Sequence, residues 1–184
     1  MKLGGIETTG TFGGWQLVDT DAERLPQDVA SGLGVAFENR DEKVVPVYYH
    51  AYQLVNGLNH SFVCERTRTQ NGRAKKDYVV AVINIPPKVE GYKEAKLVKM
   101  EVASETILSE EAQAVFDAKV KPLVGTTHKP LLEIGKQTVK GVNYHIICQS
   151  QIMYLDAEPY LTRIIINKFG ENISVVEIKR IGGN

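Results

Sequence analysis

Two pentapeptides of one pattern, Gln-x-Val-x-Gly, could do chemistry in this chain: Gln53-Leu54-Val55-Asn56-Gly57 and Gln137-Thr138-Val139-Lys140-Gly141. Their glutamines lie 137 − 53 = 84 residues apart, and at the same offset Pro46 falls on Pro130 and Cys64 on Cys148. Self-similarity at a fixed spacing marks a duplicated supersecondary unit. The chemistry such a segment offers is recognition, not bond-making. A glutamine at a strand end, a compact β-branched valine and a glycine in the turn give a hairpin tip with a small apolar surface and exposed backbone amides. A tip of this kind enters a narrow groove with little loss of conformational entropy.

Bond-making chemistry has no comparable signal. His50, His60, His128 and His145 stand without cysteine or carboxylate partners at metal-ligand spacing, so structural roles are expected and no metal site is read. There is no glycine-rich phosphate loop and no Gly-x-Ser-x-Gly. The expectation is a protein that is not an enzyme, has no catalytic residues and needs no cofactor. Lys plus Arg and Asp plus Glu each total 22. That balance argues against the global field that draws proteins to nucleic acid or anionic lipid, and favours a protein or small-molecule partner. The basic run Arg66, Arg68, Arg73, Lys75 and Lys76 reads as a solvated hairpin edge. No apolar run approaches the roughly 20 residues that cross a bilayer, and residues 1–15 are too polar for a signal-peptide core. A soluble monomer, cytoplasmic or secreted, is expected. Both cysteines sit inside apolar strands and read as buried free thiols.

The elements that must position the pentapeptides follow from periodicity. Residues 1–14, with five glycines and three threonines, are expected to form a flexible arm, and Trp15 to start the ordered part. Pro26 opens a helix whose apolar face is Val29, Leu33, Ala36 and Phe37. Strands are expected at 44–55, 59–68, 78–85 and 94–102. Asn56-Gly57 makes a tight turn, Gln70-Asn71-Gly72 a looser hairpin, and Pro86-Pro87 stops the third strand. The second unit repeats this order: Ser109-Glu110-Glu111 caps a helix with the apolar face Ala112, Val115, Phe116, Val120 and Leu123, and strands follow at 131–139, 143–154, 160–167 and 172–181. The fold class is α+β, in two tandem units at 1–104 and 105–184, each an antiparallel sheet of about four to five strands wrapped on one helix.

The order of glycine-rich arm, helix, Val45-Pro46-Val47 strand, Gln-x-Val-x-Gly hairpin and a strand ending in Ile85-Pro86 resembles the stefin branch of the cystatin family, inhibitors of papain-like cysteine proteases. Gly141-Val142-Asn143-Tyr144 is similar to that family's Gly-x-Asn-Tyr, and the resemblance covers the chain twice. It implies two cystatin-like units and a reversible, competitive, non-covalent inhibitor whose wedge fills the protease cleft. The protease-binding residues it implies are Gly13 or Gly14 as the trunk glycine, Gln53, Leu54, Val55, Asn56 and Gly57 as the first hairpin, and Pro86 with Pro87 as the second. Gln137, Thr138, Val139, Lys140 and Gly141 would form another protease-binding hairpin in the second unit, which has no proline at Lys168-Phe169-Gly170-Glu171. There are departures: Leu54 and Asn56 replace the commonest Val and Ala, and His60 stands where Tyr is usual. The rival function is a tandem cystatin-like module for another target, such as a metallocarboxypeptidase in the manner of latexin. A third is an enzyme or ligand binder on the wider helix-over-sheet superfold.

Overall fold

The computed structural model describes residues 2–3, 6–12, 14–103, 108–154 and 156–182. The protein is α+β and sheet-rich, with two α-helices among the described residues. The chain divides into two compact units: Met1–Thr9 with Gly13–Ala103, and Gly10–Phe12 with Ser104–Asn184. None of the described helices is long and apolar enough to cross a membrane.

Residues 2–3 and 6–12 are strands, where a flexible arm was expected. Strands β1 (Lys2–Leu3) and β2 (Ile6–Phe12) pair antiparallel, Leu3 facing Ile6. The β-branched run Ile6, Thr8, Thr9 and Thr11 favours extended backbone strongly enough to outweigh the neighbouring glycines. Strand β3 (Trp15–Asp21), which the periodicity did not announce, follows.

In the first unit, α1 (Gln27–Ala36) starts after Pro26, whose fixed φ suits the entry to a helix, and buries Val29, Gly32 and Leu33. Strands β4 (Lys43–Val55), β5 (Gly57–Gln70), β6 (Arg73–Ile85) and β7 (Lys96–Val102) form an antiparallel meander, and β3 adds to the free side of β4. The β5–β6 turn is tighter than expected. Gln70 pairs with Arg73, and Asn71 and Gly72 both take positive φ, which is the two-residue hairpin that Asn-Gly favours. Val29 and Leu33 of the helix meet Tyr49, Phe62, Cys64, Val79, Ala81 and Ile83 in one core. Both cysteines, Cys64 and Cys148, are buried free thiols, and burial pushes the Cys64 thiol up to about 12.

The second unit repeats the plan. Helix α2 (Glu110–Lys119) is capped by Ser109, whose Oγ accepts from the Ala112 N–H at 3.3 Å. Strands β8 (Thr126–Val139), β9 (Gly141–Ile152), β10 (Tyr160–Phe169) and β11 (Asn172–Ile181) follow in meander order. Leu123, expected on the apolar face of this helix, lies beyond its end and is exposed. The buried helical positions Val29, Gly32 and Leu33 correspond to Ala112, Val115 and Phe116, an offset of 112 − 29 = 83.

The repeat extends to irregularities that no alternation pattern shows. Register shifts between Pro46 and Tyr48 and between Tyr49 and Ala51 on β4 recur between Pro130 and Leu132 and between Glu133 and Gly135 on β8, each 84 residues on. Bulges bend and twist a strand, so β4 and β8 break the simple alternation in the same places. Thr11 of β2 pairs with Lys136 on β8, and Gln16 of β3 pairs with Tyr52 on β4. Because 52 + 84 = 136, residues 10–12 sit in the second unit at the register position that β3 holds in the first.

The basic run is not a solvated edge throughout. Arg66 is buried, and its guanidinium donates twice to Asp77, Nε to Oδ1 at 2.8 Å and Nη2 to Oδ2 at 2.7 Å. Arg68 also reaches Asp77, and Lys76 pairs with Glu65. The hydrogen bond from Arg66 holds the Asp77 carboxyl below its usual range.

His50 and His60 are both buried, and desolvation lowers each from 6.5 to about 4. The unfolded chain therefore takes up these two protons below pH 6.5 while the folded chain does not until about pH 4, so stability is full above 6.5 and falls as the pH drops between the two values. Each histidine contributes a slope of about 1.4 kcal/mol per pH unit. Asp77 acts in the same direction at lower pH, since a depressed carboxylate stabilises above its unfolded pKa and loses that contribution as the pH falls through the folded one. Urea unfolding measured at intervals from pH 7 to 4 is expected to show a steep loss of stability, and a flat profile across that range would contradict the buried, neutral state of both rings.

Candidate functional site

Each pentapeptide forms the tip of the first hairpin of its unit's meander, and the glycine is the reason the tip has its shape. Val55 pairs with Gly57 across Asn56, and Gly57 takes φ +98°. A Cβ at Gly57 would collide with the carbonyl oxygen of Ile85 and crowd Pro86 Cα. Gly141, at φ +92°, meets the Lys168 carbonyl and Phe169 Cα in the same way. Only a residue without a side chain lets the hairpin close against the end of the third meander strand. Just behind the glycine, Asn84 Nδ2 donates to Asn59 Oδ1 at 2.9 Å, and Asn167 Nδ2 donates to Asn143 Oδ1 at 2.8 Å. The same side-chain bridge thus fastens the hairpin to the next strand in both units.

The tips differ in what they show to solvent. In the first unit Leu54 is 76% exposed and Val55 45% exposed, with Asn56 exposed between them and the glycine. Gln53 is half-buried, and Gly57 is buried, so it shapes the tip without forming its surface. Gly14, at φ +81°, lies beside Gln53, whose Nε2 would stand 3.4 Å from a Cβ at that glycine. Gly13 lies outside the described residues. Pro86 and Pro87 begin a connection from β6 to β7 of 95 − 85 = 10 residues that includes a 3-10 turn at Gly91–Glu94.

Gly14, Leu54, Val55, Asn56, Gly57, Pro86 and Pro87 all line one cleft of about 1110 Å³. The three segments singled out in the first unit therefore meet at one end of it. Asp28, Tyr52, His60 and Tyr92 also line the cleft, and none of these was a site candidate in the sequence. Tyr52 immediately precedes the pentapeptide and Asp28 falls in the first turn of a helix, so their types and positions carried no distinctive spacing. His60 is not poised for proton transfer at neutral pH: its Nδ1 is hydrogen-bonded to the buried Tyr49 hydroxyl at 2.9 Å, and burial keeps the ring neutral.

In the second unit Thr138, Val139 and Lys140 are exposed, and Gln137 accepts from Asn143 Nδ2 at 3.3 Å. Lys140 Nζ stands 5.3 Å over the Phe169 ring. Here β10 and β11 are joined by only Gly170 and Glu171, so the ten-residue segment that lines the cleft in the first unit has no counterpart. Among the described residues there is no group of three or more His, Cys, Asp or Glu side chains able to hold a metal ion. No family model matches the chain, and no curated protein matches it.

Alanine at Gly57 should cost about 2–4 kcal/mol, since it combines backbone strain at positive φ with a clash against fixed main chain. Alanine at Gly72 also sits at positive φ, but no atom lies within 4 Å of its Cβ position. It should cost about 1 kcal/mol. Thermal melts of Gly57→Ala, Gly141→Ala and Gly72→Ala are expected to separate the first two from the third, and equal losses in all three would show that close approach is not what requires the hairpin glycines.

Proposed function

We propose that the chain is a reversible, competitive protein inhibitor of papain-like cysteine proteases, built as two tandem cystatin-like units, with the first unit carrying the inhibition. The observation that supports this reading is the meeting of Gly14, the exposed 54–56 tip and Pro86-Pro87 at one end of the first unit. A trunk and two loops side by side are what a cleft-filling wedge needs, and all three are backbone-rich segments with small or apolar side chains. Leu54 and Val55 supply apolar surface that binding would cover, which is where the energy of a standard-sized interface concentrates. No covalent step is required. The second unit retains the first hairpin, but its two-residue β10–β11 turn offers no second loop of similar reach, so one enzyme is expected per chain.

Titration of active papain with the full chain tests this directly. Inhibition is expected to be complete at one chain per enzyme, and Leu54→Asp should weaken it ten- to hundredfold, which corresponds to about 1.4–2.7 kcal/mol, without lowering the melting temperature. Val139→Asp should leave inhibition unchanged. Failure to inhibit any of several papain-family enzymes at micromolar concentration would overturn the proposal, and inhibition of a metallocarboxypeptidase instead would identify the rival reading.

A further inference from the structure

The two units treat one equivalent position in opposite ways. In the second unit the Glu111 carboxylate, on the first turn of α2, accepts through Oε2 from Lys136 Nζ at 2.9 Å and from the Tyr144 hydroxyl at 3.2 Å. The same ammonium lies 5.3 Å from the centroid of the Tyr144 ring. Acid, ammonium and aromatic ring form one closed cluster. At the helix offset of 83, Glu111 corresponds to Asp28, and at the strand offset of 84 Lys136 corresponds to Tyr52 and Tyr144 to His60.

The first unit keeps the acid and the aromatic position and replaces the lysine. Asp28, Tyr52 and His60 all line the cleft. Tyr52 is only 3% exposed, yet its hydroxyl has no hydrogen-bond partner among the described residues. A buried hydroxyl left without a partner carries a desolvation cost that a bound donor or acceptor would remove. The Asp28 side chain takes part in no hydrogen bond or ion pair among the described residues. The other charges around the cleft are matched: Lys88 pairs with Glu94 at 2.5 Å and Glu90 with Lys93 at 2.6 Å. What remains is the Asp28 carboxylate, the unpartnered Tyr52 phenol and walls formed by Leu54, Leu58, Ile85 and Pro86.

We propose that this cleft is a binding site for a primary ammonium group carried on an apolar stem, the ammonium seated between Asp28 and the Tyr52 hydroxyl and the stem lying along the apolar wall. The recognition chemistry is the one the protein uses internally at Lys136, where a helix-borne carboxylate and an aromatic ring hold an ammonium. An anion would meet the unmatched Asp28 charge, and a neutral molecule would gain the wall but forgo the carboxylate.

The test is an NMR titration of the full chain with n-hexylammonium chloride, alongside hexan-1-ol and hexanoate. It contains no protease, so its outcome stands apart from the inhibitory reading. Hexylammonium is expected to give saturable shifts at Asp28, Tyr52 and Tyr92 that neither control reproduces. Asp28→Asn, at an exposed helical position, should weaken binding at least tenfold with the fold intact. Tyr52→Lys should install the internal ammonium of the second unit and abolish binding. Absence of saturable shifts, equal binding of hexan-1-ol, or unchanged affinity in Asp28→Asn would each overturn the proposal. If Tyr52→Lys does not fold, the Asp28→Asn result decides alone.

Discussion

At the tip of each first hairpin, main chain approaches main chain so closely that no side chain fits between them. Gly57 lies against the Ile85 carbonyl and Gly141 against that of Lys168, both at positive φ. This contact sets where the third meander strand must end relative to the hairpin, and the paired asparagines behind it, Asn59 with Asn84 and Asn143 with Asn167, hold that relation with a hydrogen bond. Everything displayed beyond the glycine takes its place from this constraint. Leu54 and Val55 project because Gly57, at the close of the turn, is pinned, and the segment from Pro86 onward begins next to the tip because it leaves from the strand the glycine touches.

The two units differ where that segment runs. In the first, ten residues separate β6 from β7, fold into a 3-10 turn and wall a cleft with the hairpin tip. In the second, two residues suffice, and Phe169 instead lies under Lys140. The same divergence is written in the side chains below: a carboxylate, a lysine and a tyrosine satisfy one another in the second unit, whereas Asp28, Tyr52 and His60 face a cleft in the first. The longer connection therefore goes with the concave face of the first unit.

Burial of polar groups follows the same economy of partners. Arg66 is removed from solvent but accepted by Asp77 through two nitrogens, and Arg163 is matched by Glu177. His60 is desolvated and stays neutral against Tyr49. His60 and Asp77 make the first unit sensitive to acid, because the unfolded chain takes up their protons at a higher pH than the folded chain does.

The sequence by itself determined the duplication, the helix faces and most of the strands, since those depend on local periods of 3.6 and 2 that each residue carries with it. Val29 and Leu33, Val115 and Phe116, and β11 at Asn172–Ile181 needed no tertiary information. The hairpin tips were legible for the same reason: a repeated glycine in a strand interruption marks a turn. Only the tertiary structure decided the rest. Thr11 found its partner in Lys136 of β8, and composition cannot display a partner more than 100 residues away. The bulges on β4 and β8 displaced the alternation because sheets must bend over a helix. Gly57 proved to be buried, and Asp28, Tyr52 and His60, on three different elements, were brought to one cleft by long-range pairing. Their spacing in the chain says nothing of their separation in space, which is set by which strand lies beside which.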